Sequence, residues 1–363
     1  MMARPDADGA RTWRAPGRIN VIGDHTDYQD GFCLPMAVDR ECRVTIRSTP
    51  GRVGVRARSA QLAGEVVVAT DATTDPTTVE PRWGRFVAGA VGACTAAGAA
   101  VPACEVAVTS SVPAGSGLSS SSALSVALVV AFAELGGLRP DRVALARLAL
   151  DAEVRATGVP GGLLDQMTAT HAVPDHLLLL DCRSLTVEPI PLPRSLGFVV
   201  VHSGRTRALA DSAYGTRRAE VESIAAGLGV ASLRDAALDQ VADAPRARHV
   251  VTENARVLAF ADALRRGRIG ELGPLMLASH ASLRDDYGVS TPELDRAVAL
   301  LMDHGALGAR LTGAGFGGCA VGLVQRNHAD DVVARVARAL TGAGESDPLT
   351  FAVSPGRPAG VVR

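Results

Sequence analysis

The chain of 363 residues contains no lysine; all 37 of its Lys+Arg residues are arginine. That absence excludes the nucleotide loop whose lysine reaches the β and γ phosphates, the strand lysine of protein kinases, and Schiff-base chemistry. A chain of this composition that handles a nucleotide must hold the phosphates with backbone amides, hydroxyls, a metal ion and arginine. Aromatics make up only 3% against 47% hydrophobic residues, so the core is built from Ala, Val and Leu. The six cysteines form no CxxC pair and no metal-finger spacing, and read as reduced, mostly buried thiols of a cytoplasmic protein. Net charge is -1 with both signs interspersed, which gives no footprint for nucleic acid or a membrane surface. The first residues, MMARPDADGARTWRAPGR, lack the apolar stretch of a secretory signal. The most apolar window, Phe86 to Ala103, is dominated by Ala and Gly and reads as a helix of a soluble protein. There is no internal repeat, no low-complexity tail and no evident obligate protein partner.

What is present is organised around Ser111 to Glu134, SVPAGSGLSSSSALSVALVVAFAE. Gly115 and Gly117 keep Cβ atoms out of the way of an anion, four consecutive serines supply hydroxyl donors, and the apolar helix that follows brings its positive N-terminus. Upstream, Arg14 to Met36 reads as a strand over Arg18 to Ile22, then a polar cluster of Asp24, His25, Thr26, Asp27 and Tyr28. Two carboxylates and a histidine so close in sequence cannot all face one ion from a strand, and carboxylates accepting from sugar hydroxyls suit the cluster better than a metal. Strands are expected within 38–69 and at Cys104 to Ser110, with helices at 82–98 and about 140–157. Glu153 lies on the last turns of the latter, and Asp165 follows Gly161 and Gly162 as a lone carboxylate among apolar residues, either a helix cap or a group placed for catalysis. PIPLPRS at 189–195 is the best seam, dividing the chain into 1–190 and 191–363. Near the end, Gly313, Gly315 and Gly318 satisfy G-x-G-x-x-G. A strand rather than a helix follows them, and no acidic residue lies about twenty residues on, so the run reads as a turn near a backbone or ligand, not a dinucleotide fingerprint.

Three separated motifs agree in order and spacing: GRINVIGDHTDYQDGFCLPM, VPAGSGLSSSSA and LTGAGFGGCAVGLV. With LLLLDCRSL, ADSAYGTRRAEVE and SHASLRDDYGVSTPELD between them, the chain resembles the GHMP kinase superfamily and, within it, the galactokinases, over nearly its whole length. The resemblance implies an α/β (α+β) protein of two lobes with the active site between them, and an ATP- and Mg²⁺-dependent sugar kinase acting on an anomeric hydroxyl. It places Gly115, Ser116, Gly117, Leu118, Ser119, Ser120 and Ser121 at the ATP phosphates, Ser121 and Glu153 at Mg²⁺, and Asp165 and Arg18 at the catalytic centre. Asp24, His25, Asp27, Gly162 and Tyr214 fall at its sugar-contacting positions. In chemical terms Asp165 could take the hydroxyl proton while Arg18 stabilises the developing oxyanion.

Departures bear on the substrate. The usual GEHTDY is GDHTDY here, which shortens the acid at Asp24 by one methylene, and Ser203-Gly204 within HSGRTR replaces the usual SN. Gly161 stands for a common Cys or Asn, while Ser122 and Ala314 are changes among small residues. Galactose or a close relative is the expected substrate. A modified hexose, pentose, cyclitol or sugar phosphate is the alternative. A non-catalytic sugar sensor is the reading from a different class, opposed by the presence of Arg18, Asp165, Glu153 and an uninterrupted serine loop.

Overall fold

The computed structural model describes residues 9–204, 210–343 and 348–362, the side chains of 210–212 excepted. Strand β1 (Arg11–Asn20) pairs antiparallel with β3 (Pro35–Ser48), setting Arg14 opposite Arg43 and Asn20 opposite Pro35. It begins earlier than the alternation around Arg18 suggests, because RTWRAPGR supplies a second alternating stretch whose Trp13 and Ala15 face the core. β3 continues to β6 (Cys104–Ser110), which runs parallel to β4 (Val55–Ser59), and β5 (Glu65–Val68) closes that edge. The short β13 (Gly360–Val361) pairs with β1 at the opposite edge, and Pro355 bridges to Val38, so the end of the chain returns to the first sheet.

Against this sheet lie helices α1 (Gly84–Ala96), α2 (Ser120–Leu135) and α4 (Leu164–His171), and α3 (Arg142–Thr157) packs on all three helices. α2 is apolar all round and every residue from Ser122 to Val129 is buried, the pattern of a helix enclosed on all sides. It cannot shift without opening the core, so it is a rigid mount for the loop at its N-terminus.

A second sheet combines β2 (Phe32–Cys33), β7 (His176–Asp181) and β8 (Thr186–Pro191). Pro189 and Pro191 sit inside β8, which is an edge strand and tolerates residues without an N–H donor. The proline-rich stretch is thus a strand end, and the connection shrinks to 192–195 before β9 (Leu196–His202). The third sheet has the order β10 (Gly308–Thr312), β11 (Cys319–Gln325), β9 and β12 (Thr350–Val353). Helices α5 (Ala210–Leu228), α6 (Pro245–Arg265), α7 (Leu272–Ser282), α8 (Pro292–Asp303) and α9 (Ala329–Gly342) complete the described chain, with a π-helical turn over Leu283–Tyr287 after α7. Among the described residues no helix is long and apolar enough to cross a membrane.

Candidate active site

The loop before α2 turns through two left-handed glycines, Gly115 (φ 71°) and Gly117 (φ 78°), and then Ser119 at φ 57°. A left-handed serine without a side-chain cap bond is a strained way to start a helix, of order 1–2 kcal/mol. Its reward is visible: Ser119 Oγ donates to Asp165 Oδ2, with Ser122 Oγ 3.4 Å from the same oxygen. Ser116 and Leu118 turn inward, Ser116 Oγ donating to the Pro113 carbonyl at 2.7 Å and Leu118 fully buried. Backbone groups are therefore what these two present to a ligand.

Asp165 lies in the first turn of α4 but caps nothing. Arg18 grips it as a fork, Nε to Oδ1 at 2.6 Å and Nη2 to Oδ2 at 3.0 Å, while Arg18 Nη1 donates to the Gly117 carbonyl at 2.6 Å. One guanidinium thus ties the acid to the glycine-serine loop, in the planar geometry that lysine could not match. The β1–β3 register shifts between Pro16 and Arg18, an irregularity of the kind that re-aims side chains next to active sites. Gly17 is required beside it, since a Cβ there would lie 2.7 Å from the Leu118 carbonyl. Among the described residues, Asp165 Oδ1 accepts only from Arg18, leaving a lone pair for a ligand hydroxyl.

Asp165 and Arg18 line a cavity of about 340 Å³ together with Asp24, His25, Asp27, Ser121, Glu153, Gly162 and Tyr214. The structure thus brings the polar cluster, the end of α3, the α4 turn and α5 around one space, whose further walls include Gly313 and Ala314 of the third motif. Gly162 is fixed by steric necessity: a Cβ would fall 1.7 Å from Asp27 Oδ2. Burial, with the carboxylates of Asp165 and Asp24 nearby, pushes Asp27 up to about 6. Glu153 is also raised by burial, while the hydroxyl of Ser121 works in the opposite direction and Gln166 Nε2 donates to it at 2.8 Å. A half-buried carboxyl facing a serine hydroxyl, with no cationic side chain paired to it among the described residues, is a donor set suited to a hard divalent ion that also takes phosphate oxygens. No group of three or more His, Cys, Asp or Glu able to hold a metal occurs among the described residues.

Asp24 is held from behind. Its Oδ1 accepts from Asn20 Nδ2 at 3.0 Å and from the Gly313 amide at 3.1 Å, and Oδ2 lies 2.8 Å from Nη2 of the fully buried Arg310. Burial raises its affinity for a proton; Arg310 and Asn20 oppose that. Glu253 lies 3.8 Å from Arg310 and accepts from the Gly23 amide, Ser279 and Arg256. Sequence reading missed Asn20, Arg310 and Glu253. Arg310 directly precedes the third motif, whereas Glu253 sits in α6 with no local signal at all. The third motif reaches the glycine-serine loop through Cys319 Sγ, 2.6 Å from the Ser116 carbonyl, and Gly315 (φ 75°) is needed because a Cβ would meet the Val289 carbonyl at 2.4 Å. Of the HSGRTR stretch, Arg205 and Arg207 lie outside the described residues.

A glycine-serine loop mounted on a buried helix, with an arginine-gripped acid lining a polar cavity, defines a small-molecule kinase of the GHMP class. The family described as "GHMP kinases N terminal domain" matches residues 85–172, "GHMP kinases C terminal" matches 260–342, and "Galactokinase galactose-binding signature" matches 4–48. Galactokinase of Roseiflexus sp. (strain RS-1) is 44% identical over 329 residues, 86% of this chain and 83% of that one. Galactokinase of Mycobacterium tuberculosis (strain ATCC 25618 / H37Rv) is 43% identical over 350 residues, covering 93% and 95%. The crystal structure of Lactococcus lactis galactokinase complexed with galactose superposes with a TM-score of 0.88 at 28% identity, over 98% of this chain and 96% of that one. Methanococcus jannaschii mevalonate kinase, at 16% identity and a TM-score of 0.72 over 97% and 100% of the two chains, shares the fold. The chain belongs to the galactokinase family and is an ATP-dependent kinase.

Proposed function

We propose that this kinase transfers the γ-phosphoryl group of ATP to the anomeric hydroxyl of galactose or a closely related sugar. The observation that carries the reading is the position of Asp165: one oxygen bonded to a phosphate-loop serine, both gripped by Arg18, and the carboxylate facing a cavity lined by Asp24, Asp27 and Tyr214. The mycobacterial and Lactococcus relatives are galactokinases, the latter seen with galactose bound. In this reading Asp24, Asp27, Tyr214 and the backbone at His25 and Gly162 contact the sugar. Asp165 Oδ1 accepts the anomeric hydroxyl and takes its proton as the bond to phosphorus forms, with Arg18 stabilising the negative charge that develops. The phosphates rest on the backbone of Gly115 to Ser119 and the hydroxyls of Ser120 and Ser121, the hydroxyl of Ser119 being committed to Asp165. Ser121 and Glu153 would hold Mg²⁺, which when bound neutralises phosphate charge. The active site lies where 1–190 and 191–363 meet, in a soluble cytoplasmic enzyme without an obligate protein partner.

The test is MgATP-dependent ADP release with galactose, glucose, N-acetylgalactosamine, 6-deoxy and pentose analogues, cyclitols and sugar 6-phosphates. Galactose is expected to turn over fastest, with the phosphate at C1 by NMR. Turnover of a modified sugar or cyclitol with silence on galactose would overturn the substrate, and would trace to the shortened acid at Asp24.

A further inference from the structure

The chain has only three tyrosines, and all three meet at His25. The imidazole lies 4.6 Å from the Tyr287 ring and 5.8 Å from that of Tyr214, while Tyr28 packs edge-on to Tyr214 at 5.5 Å. His25 is buried, and both its ring nitrogens are taken: Nε2 is 3.2 Å from the Ala314 carbonyl and Nδ1 is 2.7 Å from Tyr28 Oη, which is itself 2.7 Å from Tyr287 Oη.

The acceptor at one end fixes every proton in this chain. A carbonyl can only accept, so His25 Nε2 carries a hydrogen. In the neutral ring Nδ1 is then a lone pair, and Tyr28 must donate to it. Tyr28 has spent its one hydrogen, so it accepts the hydrogen of Tyr287. A proton added at Nδ1 would reverse the relay: Tyr28 would accept from Nδ1 and donate to Tyr287, and the hydroxyl hydrogen of the fully buried Tyr287 would lose the acceptor it has among the described residues. Burial, the neighbouring His249 and the positive charges of Arg310 and Arg217 oppose that proton as well, and hold His25 down at about 3.

We propose that Tyr287 is a positioning residue for the sugar pocket: through Tyr28 it holds His25 as the neutral Nε2–H tautomer, and the ring so held pins the first motif to Ala314 of the third. The same residue anchors the wall that carries Tyr214, since the Tyr287 carbonyl accepts from Arg217 Nε of α5 at 3.1 Å. Neutrality serves the site. An imidazolium in a cavity lined by Asp24, Asp27 and Asp165 would compete with ligand hydroxyls for those carboxylates. His25 thus shapes the pocket with its ring and leaves direct contact to its backbone.

This inference rests on the sugar-kinase reading only for its kinetic arm. The first measurement is a long-range ¹H–¹⁵N spectrum of the full chain labelled at histidine, with the His25 signals identified by their loss in His25→Gln. The Nε2–H tautomer, unchanged from pH 8 to pH 5, is the expected result. An Nδ1–H tautomer or an imidazolium in that range overturns the proposal, whatever the enzyme phosphorylates. The second is Tyr287→Phe, which keeps the ring and removes one hydroxyl. It should raise the KM for the sugar roughly three- to tenfold, the range one net hydrogen bond commands, with the KM for ATP unchanged and the His25 ring taking up its second proton at a higher pH than in the parent. An unaltered sugar KM together with an unaltered His25 spectrum in Tyr287→Phe overturns it too.

Discussion

Asp165 and Asp27 are both acids in one cavity, yet their surroundings give them opposite tasks. Asp165 is bonded by a guanidinium and two serines, so removing its charge should cost chemistry and little structure. Asp165→Asn is expected to lower kcat by about 10²–10⁴ with an unchanged circular dichroism spectrum; near-normal turnover would remove it from the catalytic role. Asp27 is instead raised to about 6 by burial and the two neighbouring carboxylates, so ionising it costs the folded state free energy. Its proton is bound in the folded chain between the unfolded value and about pH 6, and stability from this group is lost as pH rises through that window. A sugar hydroxyl donating to Asp27 favours the charged form. Sugar binding near pH 6 should therefore release protons, which calorimetry in buffers of different ionisation enthalpy will detect, and Asp27→Asn should abolish the release.

At the scale of single elements, α2 shows how stability is exchanged for function. The helix is enclosed by core on every face, while the residue that precedes it, Ser119, stands in the left-handed region. Ser119→Gly removes a strain of order 1 kcal/mol and also removes the hydroxyl on Asp165. The variant should melt at the same temperature as the parent or higher, yet turn over more slowly; a loss of both stability and activity would show that the serine is structural. The bulge in β1 belongs to the same class of device, turning Arg18 toward α4 beside a glycine that no other residue could replace.

Across the whole molecule, the polar network behind the sugar end joins segments far apart in sequence. Arg310 of β10 lies between Asp24 of the first motif and Glu253 of α6, and Glu253 in turn takes the Gly23 amide. Arg310→Met leaves Asp24 buried without its counter-charge, and should destabilise the protein by about 3–5 kcal/mol, read as a fall in Tm at pH 7. Burial alone would raise Glu253, but His249, Arg310 and Arg256 together hold it at about 2, below its value in the unfolded chain. Its contribution to stability is therefore complete above about pH 4.5 and lost as pH falls toward 2, so Glu253→Gln should lower Tm at pH 7 and show a smaller fall in Tm between pH 4.5 and 2 than the parent.

Much of this protein was legible in one dimension. The absence of lysine together with a glycine-serine loop forced phosphate handling onto backbone, hydroxyls and arginine, and the alternation and apolar runs placed the strands around 38–69 and 104–110 and the helix after the loop. These features depend on local periodicity and on what glycine alone permits, so they can be read without a fold. The partners of Asp165 could not be read that way: chemistry among neighbours would make it a cap, and only the approach of β1, with Arg18 147 residues away, makes it a gripped acid. Glu253 carried no local signal, and neither the place of Arg310 beside the third motif nor that of Tyr287 within SHASLRDDYGVSTPELD disclosed its role, because a buried charge or hydroxyl is recognisable only by what surrounds it. The sequence by itself determined the chemistry available to this chain; the tertiary structure decided which groups share one desolvated cavity, since distance and burial, on which every charge and hydrogen bond here depends, exist only once the chain is folded.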